Sequence, residues 1–282
     1  SDMGGIIWLA SYPKSGNTWL RSFLYNLLRN TPTPANINEL DQFCLGESSA
    51  QWYARHLQTP VESASPEVVM KIRPSAHADM TQAFPDSVFV KTHNFLGEWH
   101  GMPMHNMDVT AGGIYVVRNP LDVVLSMTHH FGLTLDEAIE RLGNKGAATS
   151  SGGGHVPEFH SSWSAHVKSW TQHPNPQLLV LRYEDMLAKP RRAFKNVTKF
   201  LGLKPSTERL ERAIRHSSFK ALKAQEEKAG FKERSEHAKA FFRSGKAEQW
   251  REELTPDQVR LIIDQHKEQM ERFGYIPEDY KD

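Results

Sequence analysis

The chain reads as an α/β protein, a single domain with a central parallel sheet flanked by helices. Three observations predict it. Short apolar runs without polar alternation recur along the chain, as strands buried on both faces do. Segments of helical period follow them, in the strand-helix rhythm of a parallel sheet. The chemically conspicuous residues Lys14, His93, Arg118 and Tyr183 each stand just after such a run, where the carboxyl ends of parallel strands collect ligands. The 282 residues suffice for one large core, and 39% hydrophobic with 24% charged residues is ordinary for a globular chain.

The first strand is the apolar run from Ile6 to Ala10. Pro13, Ser15 and Gly16 break it as a tight turn. From Asn17 onward Trp19, Leu20, Phe23, Leu24, Leu27 and Leu28 recur at helical spacing. Residues 31 to 66 mix prolines, Gly46 and serines with weak periodicity, which predicts loops and short helices over one face. Residues 66 to 84 read as a helix in two pieces, broken at Pro74. Ser87 to Thr92 reads as a second buried strand, with His93 at its carboxyl end. Residues 97 to 113 read as a loop. Its His100 and His105 lack carboxylate or cysteine at ligand spacing, so they read as solvated side chains rather than metal ligands.

A third strand is expected from Gly113 to Arg118, with Asn119-Pro120 opening a helix to about residue 131. A helix over 134–142 follows. Residues 143 to 155 are too rich in glycine and serine to bury a core and read as a flexible loop. A helix over 158–172 carries Trp163, Val167 and Trp170, and Leu178 to Leu181 is a fourth strand. Helices over 190–201 and 206–216 come next. The polar stretch 224–240 has no clear period. Thr255-Pro256-Asp257 then caps a closing helix to Phe273.

Composition narrows the setting. A net charge of +1 gives no reason to expect nucleic acid or an anionic membrane as partner. Cys44 is the only cysteine, which excludes an internal disulfide and favours a reducing, cytoplasmic setting. No apolar run approaches a membrane span and no signal peptide is expected. Ser1 and Asp2, ahead of Met3, read as an expression remnant, leaving the domain to residues 3–282.

The stretch from Tyr12 to Trp19 is the chemical centre of the sequence. Strand, turn and helix would bring backbone N–H groups and a helix N-terminus around one point, which suits an anion. Lys14 adds a positive charge in the turn, although the same residues also fit an ordinary strand-to-helix turn. The nucleotide-triphosphate motif would put lysine directly after Gly16, where this chain has Asn17. Tyr115 to Ser126 holds a second pair: a guanidinium at a strand end, Arg118, and a hydroxyl eight residues later, Ser126, able to converge on one phosphate.

Tyr12-Pro-Lys-Ser-Gly-Asn-Thr-Trp19 resembles the 5′-phosphosulfate loop of the sulfotransferases that use 3′-phosphoadenosine 5′-phosphosulfate (PAPS). Five further segments agree in order. Tyr115 to Ser126 is similar to the family's 3′-phosphate segment, and Val90-Lys-Thr-His93 to the strand bearing its catalytic histidine. Arg182-Tyr-Glu-Asp-Met186 is similar to its Tyr-Glu-Asp segment, and Ser217-Ser-Phe219 to its adenine-contacting segment. Phe241-Phe242-Arg243-Ser244-Gly245, with Trp250 and Thr255, keeps the spacing of Arg-Lys-Gly-x-x-Gly-Asp-Trp-x-x-x-Phe-Thr. It departs at Ser244, Glu248 and Leu254, where the family has lysine, glycine and phenylalanine.

The resemblance implies a P-loop-like sulfotransferase fold and PAPS as sulfuryl donor. It implies the phosphosulfate on Lys14, Ser15, Gly16, Asn17 and Thr18, and adenine held by Trp19, Tyr183 and Phe219 beside Ser217. It implies the 3′-phosphate on Arg118, Ser126 and the segment of Phe242, Arg243, Ser244 and Gly245, with Lys246 near enough to replace the lysine lost at Ser244. His93 is implied as general base and Lys91 as a neighbour of the transferring group, the acceptor being a hydroxyl on a small molecule. Sulfuryl carries less charge than phosphoryl, so no metal is expected. The alternatives are a P-loop nucleotide kinase, which would want acidic magnesium ligands, and a non-catalytic nucleotide-binding module, which would have no use for His93. The family's dimer segment is absent, which leaves the oligomeric state open.

Overall fold

The computed structural model describes residues 4–282; Ser1 and Asp2, the expected remnant, lie outside the described residues. Strand β1 (Ile6–Ser11) enters the core and the chain then turns into α1 (Asn17–Arg29). Short pieces follow: α2 (Leu40–Phe43), β2 (Cys44–Gly46) and α3 (Ala50–Ala54). The strand β2 escaped the sequence reading because three residues leave no period to detect. Helix α4 (Pro66–Met80) runs through Pro74 without a break. Proline removes one backbone donor there, yet Arg73 and His77 both bond the buried Glu47 and hold the turns on either side.

After β3 (Val88–Thr92) the expected loop contains a small hairpin, β4 (Glu98–Trp99) with β5 (Met102–Pro103). Strand β6 (Thr110–Val117) starts three residues before the expected Gly113. Next come α5 (Pro120–Phe131), with Asn119 accepting from Leu121 N as its cap, and α6 (Leu135–Gly143). The helix expected from residue 158 begins only at α7 (Trp163–Thr171), because Ser161 has φ +60° and Ser162 is the N-cap. Strand β7 (Leu178–Arg182) leads into α8 (Tyr183–Ala188), α9 (Pro190–Phe200) and α10 (Thr207–His216). Helix α11 (Phe219–Ala229), capped by Ser218, covers part of the stretch read as aperiodic. The chain ends with α12 (Trp250–Glu253) and α13 (Pro256–Arg272), the latter opened by a capping box between Thr255 and Gln258.

Among the described residues five strands form the central sheet, in the order β2-β3-β1-β6-β7. β1 runs parallel to β3, with Ile6 opposite Val88 and Ala10 opposite Thr92, and β2 runs parallel to β3 on its other side. The strands are apolar because they are buried: Ile6, Leu9, Val88, Val90 and Ile114 have no exposed surface.

The chain divides into two compact units. The first comprises residues up to Tyr12, Cys44–Tyr115 and Asn144–Val180 and holds β1, β2 and β3. Within it the glycine-rich segment is tied down: Ala50 N donates to Gly154 O, Val156 N to Ser48 O and Thr149 N to Glu158 O. The second comprises Pro13–Phe43, Val116–Gly143 and Leu181–Asp282, in which α1 packs on α10 and α5 on α6. Its aromatic cluster joins Ile37, Leu40, Leu222, Phe231 and Phe242. No helix among the described residues is long and apolar enough to cross a membrane, and no group of three or more His, Cys, Asp or Glu is disposed to hold a metal ion.

Candidate nucleotide and acceptor sites

In the second unit the loop after β1 is shaped by two left-handed residues, Lys14 at φ +65° and Gly16 at φ +104°. Gly16 is required twice over. Its φ favours glycine, and a Cβ there would meet the Tyr183 ring at 2.8 Å. Gly16 is also the N-cap of α1 and supplies no side chain to its first-turn N–H groups, and no acidic residue lies in that turn. The Ser15 hydroxyl is buried without a partner. Unsatisfied donors at a helix start make a cradle for an anion.

Cations gather at the same loop. Arg118 donates from Nη1 to Lys14 O (2.9 Å) and to Ser126 Oγ (3.4 Å), and its guanidinium lies 4.3 Å from the Tyr183 ring centre. Arg118 and Ser126 thus lie side by side. Lys14 Nζ sits 3.8 Å over the Phe241 ring. Burial, then the charges of Arg118 and Arg243, push the Lys14 amine down to about 7. Burial and Arg118 push Arg243 down as well, against Glu253. Positive charge thus gathers at the loop, offset in part by Glu226 and Glu233 beside Lys14 and by Glu253 beside Arg243.

The aromatic residues expected at an adenine fall into two groups. Trp19 meets Tyr183 edge-on at 5.7 Å and Phe194 at 5.6 Å, and its indole N–H is buried without a partner. Phe219 lies under Gly245, whose Cβ would come within 2.4 Å of that ring, and meets Phe242 edge-on at 6.4 Å. The Ser217 hydroxyl is committed to Ala213 O at 2.7 Å. The strap from Phe241 to Trp250 is fastened at both ends. Glu226 accepts from Phe241 N and Phe242 N (2.8 and 3.0 Å), and Asp122 accepts from Glu248 N and Trp250 N (2.8 and 3.1 Å). Between them Ser244 is half-buried and Lys246 is exposed.

In the first unit His93 follows β3, half-buried. Its Nδ1 lies 2.9 Å from Ser11 O. A carbonyl only accepts, so Nδ1 carries the proton and Nε2 keeps its lone pair. Burial pushes this imidazole down to about 3; Glu158 opposes the shift and Lys91 adds to it. The residues after His93 are equally fixed. His93 O accepts from His166 Nε2 (2.9 Å), Asn94 O from Trp170 Nε1 (3.0 Å), and Asn94 Oδ1 from Phe159 N (2.8 Å). Lys91, half-buried, has its carbonyl bonded by Glu47 N at 2.9 Å.

Several residues escaped sequence reasoning. Glu158 accepts from His160 Nε2 (3.0 Å) and from Ser48 Oγ (3.0 Å). Burial would raise its carboxyl, but His160, then His93 and Lys91, hold it well below the usual range. Glu47 is buried and accepts from Asn94 Nδ2; Arg73, His77 and Tyr53 bring its carboxyl down to about 2 against the cost of burial. Single carboxylates in aperiodic segments carry no sequence signal. His105, expected to be solvated, is buried: it pairs with Thr92 Oγ1 at 2.9 Å and packs edge-on to Trp8.

Comparison with known proteins agrees with this architecture. Bovine sulfotransferase 1E1 is 28% identical over 219 residues, a stretch covering 76% of this chain and 65% of that relative, just under two thirds of its length. Mouse sulfotransferase SULT7A1, solved in complex with PAP, matches 96% of this chain and 84% of its own with a TM-score of 0.63 at 22% identity. Retinol dehydratase, solved with androsterone and the inactive cofactor PAP, matches 94% and 80% with a TM-score of 0.65, also at 22% identity. The sulfotransferase domain model matches residues 5–274, running through both units from β1 to the end of α13, and the chain belongs to that family.

Proposed function

We propose that the chain transfers the sulfuryl group of PAPS to a hydroxyl, alcohol or phenol, of a small-molecule acceptor. The observation that carries this is the gathering of Lys14, Arg118 and Arg243 at a loop whose helix N-terminus is uncapped and whose Ser15 hydroxyl has no partner. An anion of high charge satisfies all of these groups together. A nucleotide bearing a phosphate at each end of its ribose gives Arg118, Ser126 and Arg243 one anion and residues 14–18 the other. Trp19, Tyr183 and Phe219 offer faces or edges to the base, with Phe242, Ser244 and Gly245 completing the strap and Ser217 supporting the turn before Phe219.

In-line transfer moves a trigonal sulfuryl group from the phosphate oxygen to the acceptor oxygen. The S–O bond to phosphate breaks, the S–O bond to the acceptor forms, and the acceptor's proton leaves. Negative charge grows on the leaving phosphate, where Lys14, Thr18 and the amides of residues 15–18 stabilise it. His93 Nε2 takes the proton, its lone pair kept available by the bond from Nδ1 to Ser11 O. Lys91 contributes positive charge beside the transferring group. Glu158 stabilises the imidazolium once it forms, as its opposition to the His93 shift indicates. The lone buried thiol, Cys44, fits a cytoplasmic setting.

The test is turnover. With PAPS and a panel of phenols and aliphatic alcohols, the protein is expected to form a sulfate ester and one equivalent of PAP. His93→Ala should keep nucleotide affinity and lose roughly 10²–10⁴-fold in turnover, the usual worth of a positioned base. Turnover retained within tenfold on an aliphatic alcohol would remove His93 from the reaction, and phosphoryl transfer from ATP in its place would overturn the reading.

A further inference from the structure

Arg21 lies on α1, one turn after the loop, and is only 3% exposed. Its guanidinium donates to Thr18, Asn17 and Glu233. Nη2 donates to Thr18 Oγ1 at 3.0 Å and Nε to Asn17 Oδ1 at 3.1 Å. Nη1 donates to Glu233 Oε2 at 3.1 Å and Nη2 to Glu233 Oε1 at 2.7 Å, a fork-to-fork pair. We infer that Arg21, clamped by Glu233, is a positioning residue that presets Thr18 as a hydrogen-bond donor to the 5′-phosphate group of the nucleotide. The inference rests on the proposed function.

A guanidinium has no acceptor, so at each of these contacts Arg21 gives and the partner receives. A hydroxyl that has received keeps one hydrogen to give. Without Arg21 the Thr18 hydroxyl could turn either an oxygen or a hydrogen towards an anion. With Arg21 in place it stands in the first turn of α1 as a donor, where the helix dipole already favours negative charge. Glu233 supplies the opposite charge that a buried guanidinium needs and keeps the fork aimed. A lysine at position 21 would retain the charge but not reach Thr18, Asn17 and Glu233 in one plane.

The experiment compares two ligands by calorimetry: 3′-phosphoadenosine 5′-phosphate, and adenosine 3′-phosphate, which lacks the 5′-phosphate. Thr18→Val and Arg21→Lys should each weaken the first roughly tenfold, as loss of a charge-assisted hydrogen bond does, and leave the second within about twofold. The double variant should lose no more than the larger single loss, because Arg21 acts through Thr18. Glu233→Gln, which keeps Arg21 but loosens the clamp, should show the same ligand selectivity even if Arg21→Lys folds poorly. Equal weakening of both ligands, or losses that multiply in the double variant, would reduce Arg21 to a structural tie and overturn the inference. A wild-type protein that binds both ligands equally, or neither, would instead refute the assignment of the loop to a 5′-phosphate and take the inference with it.

Discussion

Lys14 shows how burial and neighbours set chemistry at a single residue. Its amine, pushed down to about 7 first by burial and then by Arg118 and Arg243, is only partly protonated in the free protein at pH 7–8. A bound phosphate favours the charged form, so binding must take up a proton wherever the free amine has lost one. Affinity for the nucleotide product is therefore expected to fall as pH rises from 7 to 9, by up to about tenfold per unit for one linked proton. Calorimetry in buffers of different ionisation enthalpy should show that uptake. A pH-independent affinity with no proton exchange would mean that Lys14 does not meet the phosphate. Lys14, Arg118 and His93 were legible in the sequence because each follows a strand inside a spaced motif. Arg21, Glu158 and Glu233 were not, because what makes them matter is a partner distant in sequence: Ser48 with Glu158 and Arg21 with Glu233 pair across 110 and 212 residues.

At the scale of elements, the strap from Phe241 to Trp250 carries the candidate 3′-phosphate residues on two anchors. Gly245 within it has φ +62° and lies against Phe219, so an added methyl both strains the backbone and collides with the ring. Gly245→Ala is expected to lower nucleotide affinity at least fivefold, with a fall of a few degrees in melting temperature, as the strap lifts from α11. Unchanged affinity would show that the strap does not bear on the ligand. Sequence periodicity found α1, α5, α9, α10 and α13, whose apolar stripes are plain. It lost α11, which buries only Leu222 and Glu226 and otherwise mixes Phe219 and three alanines with charged residues. It broke α4 at Pro74, because the ties from Arg73 and His77 to Glu47 are tertiary. The α/β class and four of the five sheet strands were readable from apolar runs; the edge strand β2 was too short.

Across the whole molecule, buried histidines set the response to acid. His166 donates from Nε2 to His93 O, so its Nδ1 accepts from the Tyr115 hydroxyl at 2.8 Å, and burial pushes the ring down to about 3. In the unfolded chain the same ring titrates near 6.5. Below that pH the unfolded state binds a proton that the folded state refuses, so this contribution to stability is lost as pH falls. Its slope is about 1.4 kcal/mol per pH unit until pH nears 3. Asp122 and Glu184, whose carboxyls burial pushes up, act in the opposite sense. The urea midpoint is expected to drop between pH 6.5 and 5, and to drop less steeply in His166→Gln. Equal slopes in the two proteins would contradict the assignment of that proton to His166.

The nucleotide pocket answers most directly for the account as a whole. In the proposed function Arg118, Ser126 and Arg243 hold a phosphate on the 3′ side of the ribose. Titrated side by side, 3′-phosphoadenosine 5′-phosphate should bind at least about tenfold more tightly than ADP, or than ATP with magnesium. At a hundred times its dissociation constant it should stabilise the fold by roughly 2.7 kcal/mol, a shift visible in thermal melting. Equal or tighter binding of ATP with magnesium would contradict the account and return the pocket to the chemistry of a kinase.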